Sequence, residues 1–311
     1  MNASTFEAGQ PTRSPPTKML LVAASLGLPH GLPPQSLQCG RVGGPPPPRP
    51  RDLDRRAVLA GGLGFCGCCG MAPPADALAT LTPRASDLEA PRNPVFDRGF
   101  ARGMNGGMAD YEAAVAPKKK ALFAKMLGSL KEESTVVELG MGTFPNAGFY
   151  AASGPRGLDI VGVDPNDSMG RYAEVNAAQA GLGERGHSIR VAHGVGEALP
   201  LADRSADAVV CTLTLCTVVD MDRTLAECVR VLKPGGQFLF LEHVLSETDK
   251  GLAEAQIKFT PFQVQAADGC HLDRRTLQNI KAAAFKSVDS EYFDLDGFLY
   301  LNPTIAGIAT V

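Results

Sequence analysis

The residues with the most chemical potential cluster in the second two-thirds of the chain. Glu138-Leu139-Gly140-Met141-Gly142-Thr143-Phe144 closes an apolar run. Its two glycines let the backbone come close to a ligand. A dinucleotide-binding turn reads G-x-G-x-x-G, and the last glycine of that pattern falls on Pro145, which has no N–H to offer a pyrophosphate. Asp164 ends a second apolar run, 24 residues after Gly140. A carboxylate there can accept both hydroxyls of a ribose, or it can cap the next helix. The loop and the carboxylate together point to a nucleoside-bearing cofactor. Gly196-Glu197-Ala198-Leu199-Pro200, past a third run, can present the Gly196 N–H and apolar neighbours to an adenine ring; read alone it is equally a plain loop.

A carbon or hydroxyl nucleophile needs a positioned base, whereas a thiol ionises with little help. The candidate bases are His243, just past a fifth apolar run, and His271 and Asp268 in a later loop. Cys270 is not expected to act as a nucleophile, because direct transfer needs no covalent enzyme intermediate. Cys66-Gly67-Cys68-Cys69 has no His or second Cys pair at zinc-site spacing, so no metal centre is expected. Cys211, Cys216, Cys228 and Cys270 read mostly as buried thiols, without any need for disulfides.

These positions require a scaffold of alternating strands and helices. Strand patterns lie at 135–139, 158–163, 189–192, 208–213, 237–241, 288–293 and 304–310, and the middle ones are almost continuously apolar, as in strands covered on both faces. Helical spacing appears at 117–130, 168–180 and 222–232, and Asp273 can cap a last helix through Phe285. Lys233-Pro234-Gly235-Gly236 reads as a turn that ends the third of these. The alternation predicts an α/β fold: a doubly wound, seven-stranded, mostly parallel sheet over residues 97–311. In such sheets ligands bind beyond the carboxyl ends of the strands.

The chain has 311 residues, 44% apolar and 20% charged, which is ordinary globular usage. No apolar run reaches the roughly 18 residues of a membrane-spanning helix. The two parts differ. Residues 1–96 hold 16 of the 24 prolines and carry 9 Lys and Arg against 6 Asp and Glu; residues 97–311 carry 21 against 27, a net charge of −6. That acidic balance is the wrong sign for a nucleic-acid surface, so no nucleic-acid partner is expected.

Residues 1–51 contain one acid, Glu7, and five basic residues, the composition of an organelle transit peptide, so 1–54 is expected to be a disordered, transit-like region. Arg55-Arg56, the uncharged stretch 57–75 and the small-residue sites Ala75-Asp76-Ala77 and Ala77-Leu78-Ala79 follow in the order of a twin-arginine signal, over 55–79. The arrangement resembles a bipartite presequence for the thylakoid lumen or membrane of a plastid; the alternative is an anchor through 57–75 in another membrane. Residues 80–96 read as a linker.

From Met108 to Val311 the chain resembles a class I S-adenosylmethionine-dependent methyltransferase. The likeness rests on Glu138-x-Gly140-x-Gly142, Asp164, the Gly196–Pro200 loop and Val231-Leu232-Lys233-Pro234-Gly235-Gly236, in the family's order. Val209 to Cys216, Glu242-His243-Val244 and Asp268-Gly269-Cys270 also resemble a group of membrane-associated alkyl-thiol methyltransferases. The resemblance implies a Rossmann-like methyltransferase fold with an antiparallel last strand and S-adenosyl-L-methionine as cofactor. It implies cofactor contacts from Glu138, Gly140, Met141, Gly142, Asp164, Pro165, Gly196, Glu197, Thr212 and Leu213; His243 and His271 stay the catalytic candidates by position. It further implies methyl transfer to a small, lipophilic acceptor such as a thiol, with peripheral membrane association. The alternatives are a quinone-type C-methyltransferase and a non-catalytic methyltransferase-fold binding protein. Two departures stand out: Phe144 replaces the family's usual third glycine, where its bulk could narrow the pocket, and Val195 stands where many relatives place an Asp on the adenine amine.

Overall fold

The computed structural model describes residues 88–89 and 91–311. The transit-like and twin-arginine segments, and most of the expected linker, lie outside the described residues. Among the described residues, no helix is long and apolar enough to cross a membrane.

The chain runs α1 (Pro94–Gly107), α2 (Ala109–Leu127), β1 (Thr135–Leu139), α3 (Ala147–Ala152), β2 (Asp159–Asp164), α4 (Gly170–Gln179), β3 (Ser188–His193), β4 (Ala206–Thr212), α5 (Met221–Val231), β5 (Leu232–His243), α6 (Lys250–Ala266), α7 (Thr276–Ala282), β6 (Ser287–Phe293) and β7 (Thr304–Thr310). The seven strands form one sheet in the order β3-β2-β1-β4-β5-β7-β6. β1 to β5 pair in parallel, and β7 runs antiparallel between β5 and β6. This is the expected doubly wound, mostly parallel sheet with its antiparallel strand.

The strands are where the apolar runs require them. β1, β2, β4 and the second half of β5 are buried almost throughout, while the edge strands β3 and β6 alternate between exposed and half-buried. Two apolar clusters cover the two faces. One gathers Val137, Val209, Leu225, Phe238 and Ile280; the other gathers Phe123, Val136, Tyr150, Ile160 and Leu239. α5 buries Leu225, Cys228 and Val231, and Asp220 caps it by accepting from the Arg223 N–H.

Several boundaries move. The domain edge expected at 97 falls inside α1, which begins at Pro94 behind an Asn93 cap. α2 starts eight residues before Pro117 and ends at Leu127; Tyr111, Val115, Phe123 and Met126 bury one side of it, and that packing overrides the proline. The Asp273 cap is not made: α7 begins at Thr276 after Arg275, with no side-chain cap. Lys233–Gly236 is not a terminating turn but a bulged start to β5, where the register with β4 shifts between Ala206 and Ala208. Lys233 there pairs with Asp207 at 2.6 Å instead of facing a helix end.

α6 has no counterpart in the apolar pattern. Its buried residues are Gln256 and Thr260, while Ile257 and Phe262 are exposed. It is held by polar contacts: Gln256 Oε1 accepts from the Ser246 N–H at 2.8 Å, and its Nε2 donates to the Val244 and Asn302 carbonyls at 2.9 and 2.8 Å.

Candidate functional site

A cavity of about 400 Å³ opens at the carboxyl ends of the parallel strands. Leu139 and Gly140 after β1, Val163 and Pro165 around the end of β2, Gly194 to Glu197 after β3, and Thr214 and Thr217 after β4 form its walls. Gly140 has φ +62°, and a Cβ there would collide with the Thr214 side chain. Gly196 is equally committed, since a Cβ would lie 2.8 Å from Thr224 Cγ2. Only glycine fits either position, so the backbone itself faces the cavity.

Asp164 ties this wall together. Its Oδ2 accepts from the Gly142 N–H at 2.9 Å and its Oδ1 from the Asn166 N–H at 2.8 Å. α4 starts only at Gly170, so Asp164 is not a helix cap. Burial raises its pKa to about 6, against the pull of those two hydrogen bonds. Glu197 works in the same way on the opposite wall: Oε1 accepts from the Val219 and Asp220 N–H groups at 2.6 and 2.9 Å, satisfying donors at the start of α5.

Of the ten expected cofactor residues, Gly140, Pro165, Gly196 and Glu197 line the cavity; Gly142 and Asp164 are not among its walls, Leu213 belongs to a second cavity, and three face elsewhere. Glu138 is fully buried beneath the loop, where it accepts from Tyr150 Oη at 2.6 Å and Asn146 Nδ2 at 3.0 Å. Burial pushes its pKa up to about 7. The Met141 side chain packs in the core against Gly162. Thr212 accepts from Asn146 Nδ2 at 3.3 Å and does not line the cavity. Side chains alternate across a strand end, and these fall on the inner side of the turn. Phe144 also turns inward. It has φ +61°, is 1% exposed, and its ring lies 5.8 Å from that of Tyr150. Its bulk therefore fills the core under the loop and does not narrow the cavity. Val195 lines the cavity as an apolar wall.

One wall lay outside the sequence reading. Leu88, Glu89 and Pro91 to Phe96, expected as linker, cross the cavity mouth together with Asp97. Arg92 pins them: Nη2 is 2.9 Å from Asp97 Oδ1 and 2.9 Å from Asp268 Oδ2. Asn166 Nδ2 adds a bond to the Asp97 carbonyl at 3.1 Å. Among the described residues, Glu89, Asp97, Glu197 and Asp268 thus surround the cavity against one cation, Arg92. Such a field suits a ligand with cationic groups and opposes a phosphate-bearing one.

A second, apolar cavity of about 130 Å³ adjoins the first through the shared wall residue Thr217. Met104, Met108, Tyr111, Leu213, Phe298 and Leu301 line it. Leu213, expected on the cofactor, belongs to this cavity, at φ +55°. His243, Cys216 and Cys270 are part of its wall. His243 is 2% exposed, and its Nε2 lies 3.2 Å from Cys270 Sγ. Burial disfavours the charged ring, but the Cys270 and Glu242 charges outweigh it and raise the His243 pKa. The hydrogen bond from Cys216 and the charge of His243 outweigh burial at Cys270 and hold that thiol well below its ordinary range.

His271 does not join this group. Its ring is part-exposed, 3.5 Å from Asp273 Oδ1, and lines neither cavity; only its backbone contributes, donating to the Cys216 carbonyl at 2.9 Å. The four described cysteines are all buried thiols outside any disulfide. What the sequence reading missed is that two of them converge on His243 from loops more than fifty residues apart.

Comparison with known proteins agrees with this geometry. The family described as Methyltransferase domain matches residues 137–240. The thiol S-methyltransferase TMT1B of Rattus norvegicus is 37% identical over 177 residues, covering 56% of this chain and 70% of that protein. The thiol S-methyltransferase TMT1A of Homo sapiens is 31% identical over 194 residues, 58% of this chain and 73% of that protein. A ubiquinone/menaquinone biosynthesis C-methyltransferase, UbiE of a Caulobacter strain, is 43% identical over 79 residues, 24% of this chain and 31% of that protein. Among solved structures, a chain of the complex between the Haloferax volcanii Trm112 methyltransferase activator and a methyltransferase superposes with a TM-score of 0.52 at 21% identity, covering 71% of this chain and 99% of that one; it speaks for the fold. With whole-domain relatives above 30% identity and a cavity whose glycines and carboxylates fit a cationic nucleoside, the chain belongs to the class I methyltransferases that use S-adenosyl-L-methionine as methyl donor, and within them it resembles the alkyl-thiol methyltransferases.

Proposed function

We propose that the protein methylates the sulfur of a small, lipophilic thiol. The observation that carries this reading is the apolar cavity beside the cofactor cavity, whose wall includes His243, Cys216 and Cys270. S-adenosyl-L-methionine supplies a sulfonium methyl group open to in-line displacement. The chain holds it with the Gly140 and Gly196 backbone and the Asp164 carboxylate, with the Glu197-bearing loop and Pro165 as walls. Glu138, Met141, Gly142 and Thr212 serve from behind, shaping the loop that Gly140 presents.

The protein's task is then to place the acceptor in line and exclude water. Met104, Met108, Tyr111 and Phe298 strip water from an alkyl or aryl group. The reactive atom is left against His243 and the two cysteines, where an acidic proton can be given up. Strap residues Arg92 and Asp97 close the other side.

The quinone reading is the alternative, motivated by the UbiE likeness. A cavity of about 130 Å³ is well below the roughly 300–1,000 Å³ of pockets that hold drug-sized molecules, which favours a small thiol over a prenylated ring. The test is to incubate the full chain with labelled cofactor and a panel of alkyl thiols, aryl thiols, quinols and phenols, and to identify products by mass. Thioethers are expected from the lipophilic thiols. Carbon-methylated quinols without thioethers would overturn the proposal.

A further inference from the structure

Cys216, His243 and Cys270 pose a question that acceptor binding alone does not answer. Their Sγ, Nε2 and Sγ atoms lie within 4.8 Å of one another, and all three residues are buried. His243 has no other hydrogen-bond partner: Nδ1 is unpartnered, and Nε2 meets only the Cys270 sulfur. A fully buried imidazole is normally held by an oxygen acceptor. Here the one partner is a sulfur, with a second sulfur within 4.8 Å.

We infer that Cys216, His243 and Cys270 form a binding site for a soft divalent cation of the zinc type, with its fourth coordination position open to the apolar cavity and available to the acceptor's sulfur.

The donor set is that of a catalytic zinc site, Cys₂His with one vacant position, whereas structural sites close all four. Metal–sulfur bonds of about 2.3 Å and metal–nitrogen bonds of about 2.0–2.1 Å place tetrahedral ligand atoms about 3.5–3.8 Å apart. The cluster needs only small side-chain adjustments to reach that spacing. Charge balance agrees as well. A divalent cation with two thiolates and a neutral imidazole is neutral overall, which is what a wall of Met, Phe and Leu tolerates.

The three donors come from separate segments that the fold locks together. His243 ends β5. Cys216 sits in the loop after β4, pinned because Glu242 Oε1 accepts from the Thr214 and Leu215 N–H groups at 2.8 and 3.0 Å. Cys270 follows α6, and its loop is joined to the other by the His271 N–H on the Cys216 carbonyl and by Arg274 Nη2 on the Val218 carbonyl at 2.7 Å. Such fixing of ligand-bearing segments is what a metal site requires. Because the ligands are scattered, no local Cys spacing announces them.

The chemical consequence rests on the thiol reading above. A thiol that enters the cavity breaks its S–H bond, the proton leaves to solvent, and the sulfur lone pair forms the fourth metal bond. The thiolate is then held in place without a separate protein base.

The test uses the full chain with Cys39, Cys66, Cys68 and Cys69 changed to Ser, so that only the buried cysteines remain. Titration with Zn(II), and with Co(II) as a spectroscopic stand-in, should show one tight equivalent with thiolate-to-cobalt absorption. Cys216→Ser, Cys270→Ser and His243→Ala should each weaken binding by more than the roughly 10–100-fold that loss of an outer-shell partner costs, while Cys228→Ser should not. Adding octanethiol without cofactor should shift the cobalt spectrum. Binding of S-adenosylhomocysteine to the other cavity reports that each variant is folded. Metal retained at full affinity by Cys216→Ser and Cys270→Ser, or a spectrum indifferent to octanethiol, overturns the inference. Thiol methylation at full rate by metal-free protein overturns it too, and leaves the proposed function standing. A metal-bound, octanethiol-responsive protein that methylates quinols and no thiol supports the site while overturning that function.

Discussion

Arg92 joins Asp97 to Asp268 across 171 residues of sequence, with Nη2 at 2.9 Å from a carboxylate oxygen of each. The contact turns the segment before α1 into part of the cofactor cavity. Both ion pairs are only partly exposed, so each contributes up to about 1 kcal/mol. Arg92→Ala is expected to release the strap and speed dissociation of S-adenosylhomocysteine about tenfold. Stopped-flow displacement measures this, and an unchanged off-rate would mean that the strap does not gate the cavity.

Asp164 is expected to matter for binding far more than for helix formation, since it caps no helix. It holds the Gly142 and Asn166 N–H groups, between the cavity-lining residues Val163 and Pro165. Charge-assisted hydrogen bonds are worth about 1.5–3 kcal/mol each, so Asp164→Ala should weaken S-adenosylhomocysteine binding by on the order of 100-fold or more. The pH dependence has a definite sign. The ionised carboxylate is the binding form and its pKa is raised to about 6, so affinity should fall as pH drops through 6. Calorimetric titrations of both proteins between pH 5 and pH 8 check this; a mutant within a few-fold of wild type would remove Asp164 from the site.

The strands, their order of burial and the loop after β1 were legible because apolar runs bounded by Gly and Asp have few other solutions. The cavity at the strand ends followed, since Gly140 and Gly196 line it there. α1 and α6 were not legible, for a physical reason. α1 contains Gly99, Gly103, Gly106 and Gly107, and α6 buries Gln256 and Thr260 while exposing Ile257 and Phe262. α6 presents no apolar stripe, and α1 carries one in Phe96, Phe100 and Met104 that its four glycines mask; both are fixed by tertiary contacts. The same holds for the apolar cavity. Tyr111, Cys216, His243, Cys270 and Phe298 come from five segments, and only folding shows that they meet.

Phe144 illustrates a local rule broken and compensated. Its left-handed backbone costs about 1–2 kcal/mol, and the family's glycine would avoid that. Yet deleting a buried phenyl ring costs about 3–5 kcal/mol. Phe144→Gly should therefore destabilise the fold by about 1–4 kcal/mol and leave S-adenosylhomocysteine affinity within a few-fold. Thermal melts and a binding titration separate the two effects. Markedly tighter binding in the mutant would show that the ring does obstruct the cavity.

The leader reading makes a separate prediction about maturation. Cleavage after Ala77 or Ala79 leaves the strap from Leu88 onward intact, so the processed protein keeps Arg92 and its partners. Terminal sequencing of native protein should give a mature start at residue 78 or 80. A chain that still carries Arg55-Arg56 would overturn the twin-arginine reading.

Glu138 should make stability depend on pH in a way that its amide variant abolishes. Burial raises its pKa from 4.5 to about 7, and the hydrogen bonds from Tyr150 and Asn146 only partly offset the burial. The folded state therefore holds a proton between pH 4.5 and 7 that the unfolded state has released. Stability from this group is greatest below pH 4.5, falls as pH rises towards 7, and stays low above it. The cost at pH 8 is on the order of 3 kcal/mol, from about 1.4 kcal/mol per pKa unit. Glu138→Gln removes the charge but keeps an oxygen for Tyr150, and its new N–H₂ can meet Asn146 Oδ1, which is buried without a partner. Melting both proteins at pH 5, 6, 7 and 8 isolates this residue, because Asp164 and Glu242 titrate in both and cancel in the difference. The mutant's advantage in Tm should grow from pH 5 to pH 7 and level off towards pH 8. Parallel curves would mean that Glu138 stays ionised in the fold and that the loop over the cofactor cavity rests on a buried charge.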